Sequence, residues 1–208
     1  MKRRERDLVT LFNALWYRDF PVTPGHEDVG RRAVWTTHIA SIVKQCADLM
    51  GFFTCFESGG RTDAVIQTAS RKIWAKVEWE WIQPIRESVN EIEKLKESAA
   101  QSEVQVFIGY SREQRHAENI ERISSQWQGI STPLIAFLIE FQYYGGHRQF
   151  TYLRTYCIRN GTARQLRRQP ALPWRVEDTR WHLMATQHFQ PSLAPPLVGE
   201  YAESAEIA

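Results

Sequence analysis

Three acidic side chains stand where a strand-forming stretch has little use for them. In "GGRTDAVIQTASRKIWAKVEWEW", Gly59 to Trp81, Glu78 and Glu80 interrupt a tryptophan-rich apolar run, and Asp63 precedes them by fifteen residues. Carboxylates are depleted in strands and costly to bury unpaired. Alternation along the strand sends Ile73, Ala75, Val77, Trp79 and Trp81 to one face and Trp74, Lys76, Glu78 and Glu80 to the other. Residues two apart on a strand are separated by about 7 Å, so the two glutamates can converge on one small ion. A tight polar connection predicts that the preceding strand folds back antiparallel, which brings Asp63 to the same place. Three hard oxygen donors suit Mg²⁺, with Mn²⁺ as a substitute. Such an ion polarises a phosphodiester and stabilises the leaving oxygen. The alternative is a solvated strand face with no chemistry.

The elements that must position these residues follow from periodicity. Leu8, Leu11, Phe12, Leu15 and Trp16 share a helical face. A turn-rich connection leads to a helix starting near Glu27 or Asp28, carrying Trp35, Ile39, Ile42, Val43, Cys46 and Met50, and ending at Gly51. Three strands are predicted next: "FFTCFE", then, after an "SGG" turn, "RTDAVIQTA" and "RKIWAKVEWEWI". Ile85, Val89, Ile92, Leu95 and Ala99 trace another helix, "EVQVFIGYS" a buried strand, and Ser111 caps a helix through Trp127. "PLIAFLIEFQ" and "QFTYLRTYCIR" bracket a second hairpin at the glycine pair of "YYGGHR". The expected fold is α/β, a central mixed sheet flanked by helices. The expected divisions are an N-terminal helix and connection over 1–30, a core over 31–160, and a basic, proline-containing extension over 161–208.

This order, with Asp63 in "GGRTDAVIQ" and Glu78 in "KVEWEW", resembles the PD-(D/E)XK nuclease superfamily over roughly Ala33 to Phe141. The resemblance implies a restriction-endonuclease-like core and a Mg²⁺-dependent deoxyribonuclease in which Asp63 and Glu78 hold the metal. It also implies a possible homodimer on duplex DNA. Where the family's motif has lysine, this chain has Glu80, which cannot itself stabilise an anion. Glu80 could instead bind metal or accept a proton from water. Lys76, two residues back on the same face, is the candidate for the missing positive charge. Glu57 matches an auxiliary acid of some members. The lost lysine also leaves open a catalytically inert nucleic-acid- or protein-binding module on the same fold.

The remaining composition narrows the class. With 208 residues, 43% hydrophobic and 24% charged, the chain can bury one sizeable core. A net charge of +2 means that any nucleic-acid surface must be local. Its candidates are Arg148, Arg154, Arg159 and Arg164, interleaved with Tyr143, Tyr144, Tyr152 and Tyr156. The other reading of that segment is a solvated hairpin with snorkelling arginines. Cys46, Cys55 and Cys157 are odd in number and apolar in context, the pattern of reduced thiols. His26, His38, His116, His182 and His188 have no metal-ligand spacing. The basic N-terminus lacks an apolar core and cleavage site, so a cytoplasmic location is expected. There is no P-loop, GxGxxG, GxSxG or HExxH.

Overall fold

Seven strands form one sheet in sequence order. The computed structural model describes residues 1–24, 32–58, 62–86, 88–144 and 147–186. The chain runs α1 (Arg3–Arg18), α2 (Arg32–Leu49), β1 (Phe53–Ser58), β2 (Thr62–Gln67), β3 (Ile73–Glu80), α3 (Glu91–Glu97) and β4 (Val104–Arg112). It continues through α4 (His116–Gln126), β5 (Leu134–Tyr144), β6 (His147–Arg159), β7 (Thr162–Pro170) and α5 (Arg180–Thr186). The pairs β1–β2 and β2–β3 are antiparallel, β3–β4 and β4–β5 are parallel, and β5–β6 and β6–β7 are antiparallel. This is the expected α/β mixed sheet flanked by helices, compatible with a restriction-endonuclease-like core. The expected helix start near Glu27 or Asp28 and both glycine-pair turns lie outside the described residues.

Each parallel step needs a crossover, which α3 and α4 supply. Together they cover one face, where Ile92, Leu95, Ile123 and Trp127 pack on Phe107, Ala136, Leu138 and Ile158. On the other face α1 and α2 pack on Val77, Val106, Ile108, Ile135, Phe137 and Phe150. The central strands β4 and β5 are therefore buried on both sides, as their near-continuous apolar runs require. Phe12 of α1 lies 3.9 Å from the ring of Phe137, and Trp35 of α2 lies 4.7 Å from Phe150.

Several expectations are corrected. Trp74 does not share the face of Lys76 and Glu78. It is the extra residue of a bulge, since Ile66 pairs with Ala75 and Gln67 with Ile73. The bulge turns Trp74 into the α1/α2 core, 5.2 Å from the ring of Phe52. The helix expected from Ile85 begins only at Glu91, because Asn119 Oδ1 captures the Ile85 N–H at 2.9 Å and the Arg86 and Val89 N–H groups make turn bonds to Gln83 O and Arg86 O.

The described parts of the expected N- and C-terminal divisions pack with the core, while 25–30 and 187–208 lie outside the described residues. Trp16 Nε1 donates to Ala171 O at 2.7 Å, and Tyr17 Oη to Pro170 O at 2.6 Å. Residues 162–170 form the seventh strand rather than an extension. Among the described residues, no helix is long and apolar enough to cross a membrane.

Asn13 joins the two ends of the chain. Its Nδ2 donates to Val9 O at 2.8 Å and Thr155 Oγ1 at 3.0 Å, and its backbone carbonyl accepts from Gln169 Nε2 at 2.9 Å. Asn13→Ala should therefore destabilise the whole domain by about 1–3 kcal/mol, leaving the Thr155 hydroxyl buried with one partner fewer. Denaturant unfolding checks this: one cooperative transition with a lowered midpoint is expected. Loss confined to an early N-terminal phase would contradict the single core.

Candidate functional site

The register carries the site. Ala64 pairs with Val77 across β2 and β3, so Asp63 and Glu78, one residue further on each strand, lie opposite each other on the α3 face. Asp63 Oδ2 accepts the Trp79 N–H at 2.8 Å. That bond continues the β2–β3 ladder with a side chain in place of a backbone carbonyl, so the strands separate just beyond it. Into this opening α3 brings Glu91 and Lys94. Asp63, Glu78 and Glu80 all line one cavity of about 380 Å³, with Glu91, Lys94 and Arg32. Its remaining wall is mostly aromatic, with Trp35, Trp79, Trp81 and Tyr110 beside Thr36 and Ile39.

Glu78 is only 2% exposed. Burial, and then the neighbouring Asp63 carboxyl, push its pKa up to about 8, against the pull of Lys94. Asp63 is also raised, mainly by burial, with the Trp79 N–H opposing. The two carboxyls lie close enough to shift each other's proton affinity, Glu78 upward and Asp63 downward, and the pair is relieved when one of them keeps its proton. Glu91 adds negative charge to both. Lys94 Nζ stands 4.0 Å from Glu78 Oε2 and 3.4 Å from Glu91 Oε1.

Lys94 and Glu91 were missed by sequence reasoning. The signal was present, because both flank the Ile92/Leu95 stripe of a crossover helix. The residues flanking such a stripe overlie the polar positions of the strand beneath.

Other expected site residues are placed differently. Lys76 feels the charge of Glu78 from within the sheet but does not reach the cavity. Its Nζ donates to Gln101 Oε1 at 2.7 Å, and Lys76 is not among the described residues lining the cavity. Glu80 reaches the cavity, but its Oε1 accepts the Ile82 N–H at 2.9 Å and lies 3.4 Å from Arg32 Nη2. Among the described residues, no three His, Cys, Asp or Glu side chains form a metal-binding group, so the expected three-acid ligand set does not assemble. Glu57 is exposed at a left-handed φ of 50°, away from the cavity wall.

The four arginines also divide. Arg154 Nε lies 2.8 Å from Oε2 of Glu140, a carboxylate with no exposed surface on β5. Its neighbour His116 is driven down to about 4 by burial and by Arg154, and is neutral at pH 7. Arg159 pairs with Glu5 of α1 at 3.0 Å. These two arginines hold the fold rather than offering a free phosphate-binding surface. Arg148 stacks on Trp81, 4.0 Å from the ring centroid, and donates to Trp81 O at 2.9 Å. Arg164 is exposed on the edge strand β7.

No family model and no curated protein matches this sequence. Among solved structures, the chain has a slight likeness to YaeQ from Xanthomonas axonopodis pv. citri. That likeness has 9% identity and a TM-score of 0.23, over 56% of this chain and 69% of that one. It also has one to YaeQ from Pseudomonas syringae, with 7% identity and a TM-score of 0.28 over 80% and 77% of the two chains. At these TM-scores neither likeness carries an argument.

The carboxyl pair makes the stability of the metal-free protein depend on pH. An unfolded glutamate ionises near 4.5, whereas folded Glu78 holds its proton to about 8. The contribution of Glu78 is therefore fully present below about pH 4.5, falls as pH rises, and is lost above about pH 8. Glu78→Gln cannot ionise. Thermal melts in EDTA should show the variant gaining on wild type as pH rises from 5 to about 8.5. A difference that is constant with pH would contradict the proton held by Glu78.

Proposed function

We propose that this chain is a Mg²⁺-dependent endonuclease hydrolysing DNA phosphodiester bonds at the cavity between β3 and α3. The observation that carries the reading is the pairing of buried Glu78 with half-buried Asp63 on the cavity wall, with Lys94 4.0 Å from Glu78. Two like charges in contact inside a recess hold together only with a proton or a cation between them. Mg²⁺ characteristically takes one or two carboxylates and fills its shell with water and substrate phosphate. The pair thus fits the ion even without a third protein ligand.

When bound, Mg²⁺ or Mn²⁺ supplies Lewis-acid polarisation of the scissile phosphodiester. Asp63 and Glu78 hold it, and Glu78 releases its proton. Lys94 takes the part of the absent motif lysine, placing an ammonium where charge develops on the phosphate. Glu91 orients that ammonium through their ion pair. Both contacts of Glu80 fall on Oε1, which leaves Oε2 to take a proton from the attacking water.

The test is plasmid cleavage with and without Mg²⁺, using Lys94→Ala and Lys76→Met. Wild type should nick plasmid only with metal. Lys94→Ala should lose about 10²–10³ in rate, the size of effect seen when one transition-state charge stabiliser is removed. Lys76→Met, away from the cavity, should stay within a few-fold of wild type. The inverse pattern would restore Lys76 to the chemistry.

Metal should also raise the melting temperature of wild type and Lys94→Ala, more so at pH 8.5 than at pH 6, because protons compete for the same carboxyls. The second reading, an inert binding module, draws on the missing third ligand. A wild-type protein that neither cleaves nor gains stability with millimolar Mg²⁺ or Mn²⁺ would establish it instead.

A further inference from the structure

We propose that the DNA held at this cavity is single-stranded, with the base beside the scissile phosphate stacked on the Trp79–Trp81 wall. This rests on the reading of the cavity as a nuclease site. The acid pair and Lys94 account for one end of the cavity. Phosphodiester hydrolysis makes no use of the other end, where Trp79, Trp81 and Tyr110 meet.

Tyr110 belongs to the floor: it is 2% exposed and packs 4.5 Å from Trp81 and 5.7 Å from Phe150 between ring centroids. Its buried hydroxyl makes no hydrogen bond to any described residue. An orphaned buried hydroxyl costs stability unless something enters to pair with it, and the edge of a nucleobase carries such groups. Trp79 and Trp81 are only partly buried against the core, so both keep indole surface toward the cavity.

Around this wall lie both exposed aromatic or apolar side chains and cationic ones. Phe56 is 42% exposed and edges the Trp79 ring at 6.5 Å; Ile82 is 39% exposed. Arg148 lies over Trp81, and its cross-strand partner Tyr143 is 50% exposed beneath Arg112. Arg32 lines the cavity directly. Cations tracking a backbone, with rings for successive bases, are how proteins grip single strands.

A duplex has no use for such a wall. Its base faces are covered by their neighbours, and reaching an indole requires extruding a nucleotide at a cost of a few kcal/mol. Glu78, 2% exposed, also lies below the surface, where an unpaired strand can bend in more easily than a duplex backbone.

The experiment uses full-length Glu78→Gln protein, to measure binding without cleavage, in Mg²⁺. Anisotropy is recorded with a labelled oligodeoxythymidylate and with a blunt duplex of equal length. The single strand should bind about tenfold or more tighter, the scale of one stacked base. Adding Trp81→Leu should weaken single-strand binding by about tenfold, and Trp81→Phe should recover most of it.

Equal or tighter duplex binding overturns the inference, as does a folded Trp81→Leu protein that binds like its parent. If Trp81→Leu does not fold, the strand preference of the parent decides alone. The two readings fail separately. Wild type that cleaves neither DNA, while the preference and the Trp81 dependence remain, removes the nuclease reading and leaves this one. Duplex cleavage unaffected by Trp81→Leu does the reverse.

Discussion

Two carboxyl groups face each other across β2 and β3, Glu78 buried and Asp63 half-buried, and charge on both is unfavourable. This electrostatic constraint organises the surroundings of the site. The antiparallel register fixes Asp63 opposite Glu78, and the crossover helix α3 keeps water from Glu78. The result is a proton held to about pH 8 on a side chain that ordinarily ionises near 4.5. Nothing in the β1–β2–β3 meander gains stability from this. A Val or Thr at position 78 would pack on Phe107, its partner across the β3–β4 register, without penalty. The unfavourable pair thus lies beside a cavity rather than inside the packed core.

Reading the sequence found this pair because strand parity is a local property. The spacing of Asp63, Glu78 and Glu80 together with a short connection was enough to put them on one wall. The reading failed wherever a residue's place depends on a distant partner. Trp74 was assigned by simple alternation, but a bulge against Ile66 and Gln67 moves it to the opposite core, and no residue between 72 and 76 announces a bulge. The seventh strand escaped notice because "TARQLRRQP" offers a single large apolar residue, Leu166. Its backbone hydrogen bonds to β6 hold it in place, and an edge strand can remain polar.

The arginines were assigned to DNA from their company of tyrosines, and half of that assignment gave way to structure. The contrary signal was legible. Glu140 sits in "PLIAFLIEFQ", a run apolar enough to be a strand buried on both faces, and a carboxylate there demands a cation. Arg154 on the adjoining strand is that cation. Arg159 answers Glu5 in the same way, at a helix start packed on the sheet. A buried acid elsewhere in the chain therefore predicts which arginines are committed. Arg148 and Arg164 have no such acid opposite them among the described ion pairs.

The absent motif lysine is resolved by the same reasoning. Position 80 ends β3, where the chain turns away and the Ile82 N–H needs an acceptor, which Glu80 Oε1 provides. A lysine there could not accept that bond, nor could it meet Arg32. The positive charge must then come from an element that already overlies Glu78, and α3 is placed to give it. One helical turn separates Glu91 from Lys94, so the acid that steadies the ammonium and the ammonium itself point to the same side. What the proposed chemistry would require is an ammonium near Glu78, here 4.0 Å away, and that is a condition on space. The helix satisfies it from sixteen residues beyond Glu78, where no motif reading of "VEWEW" would search.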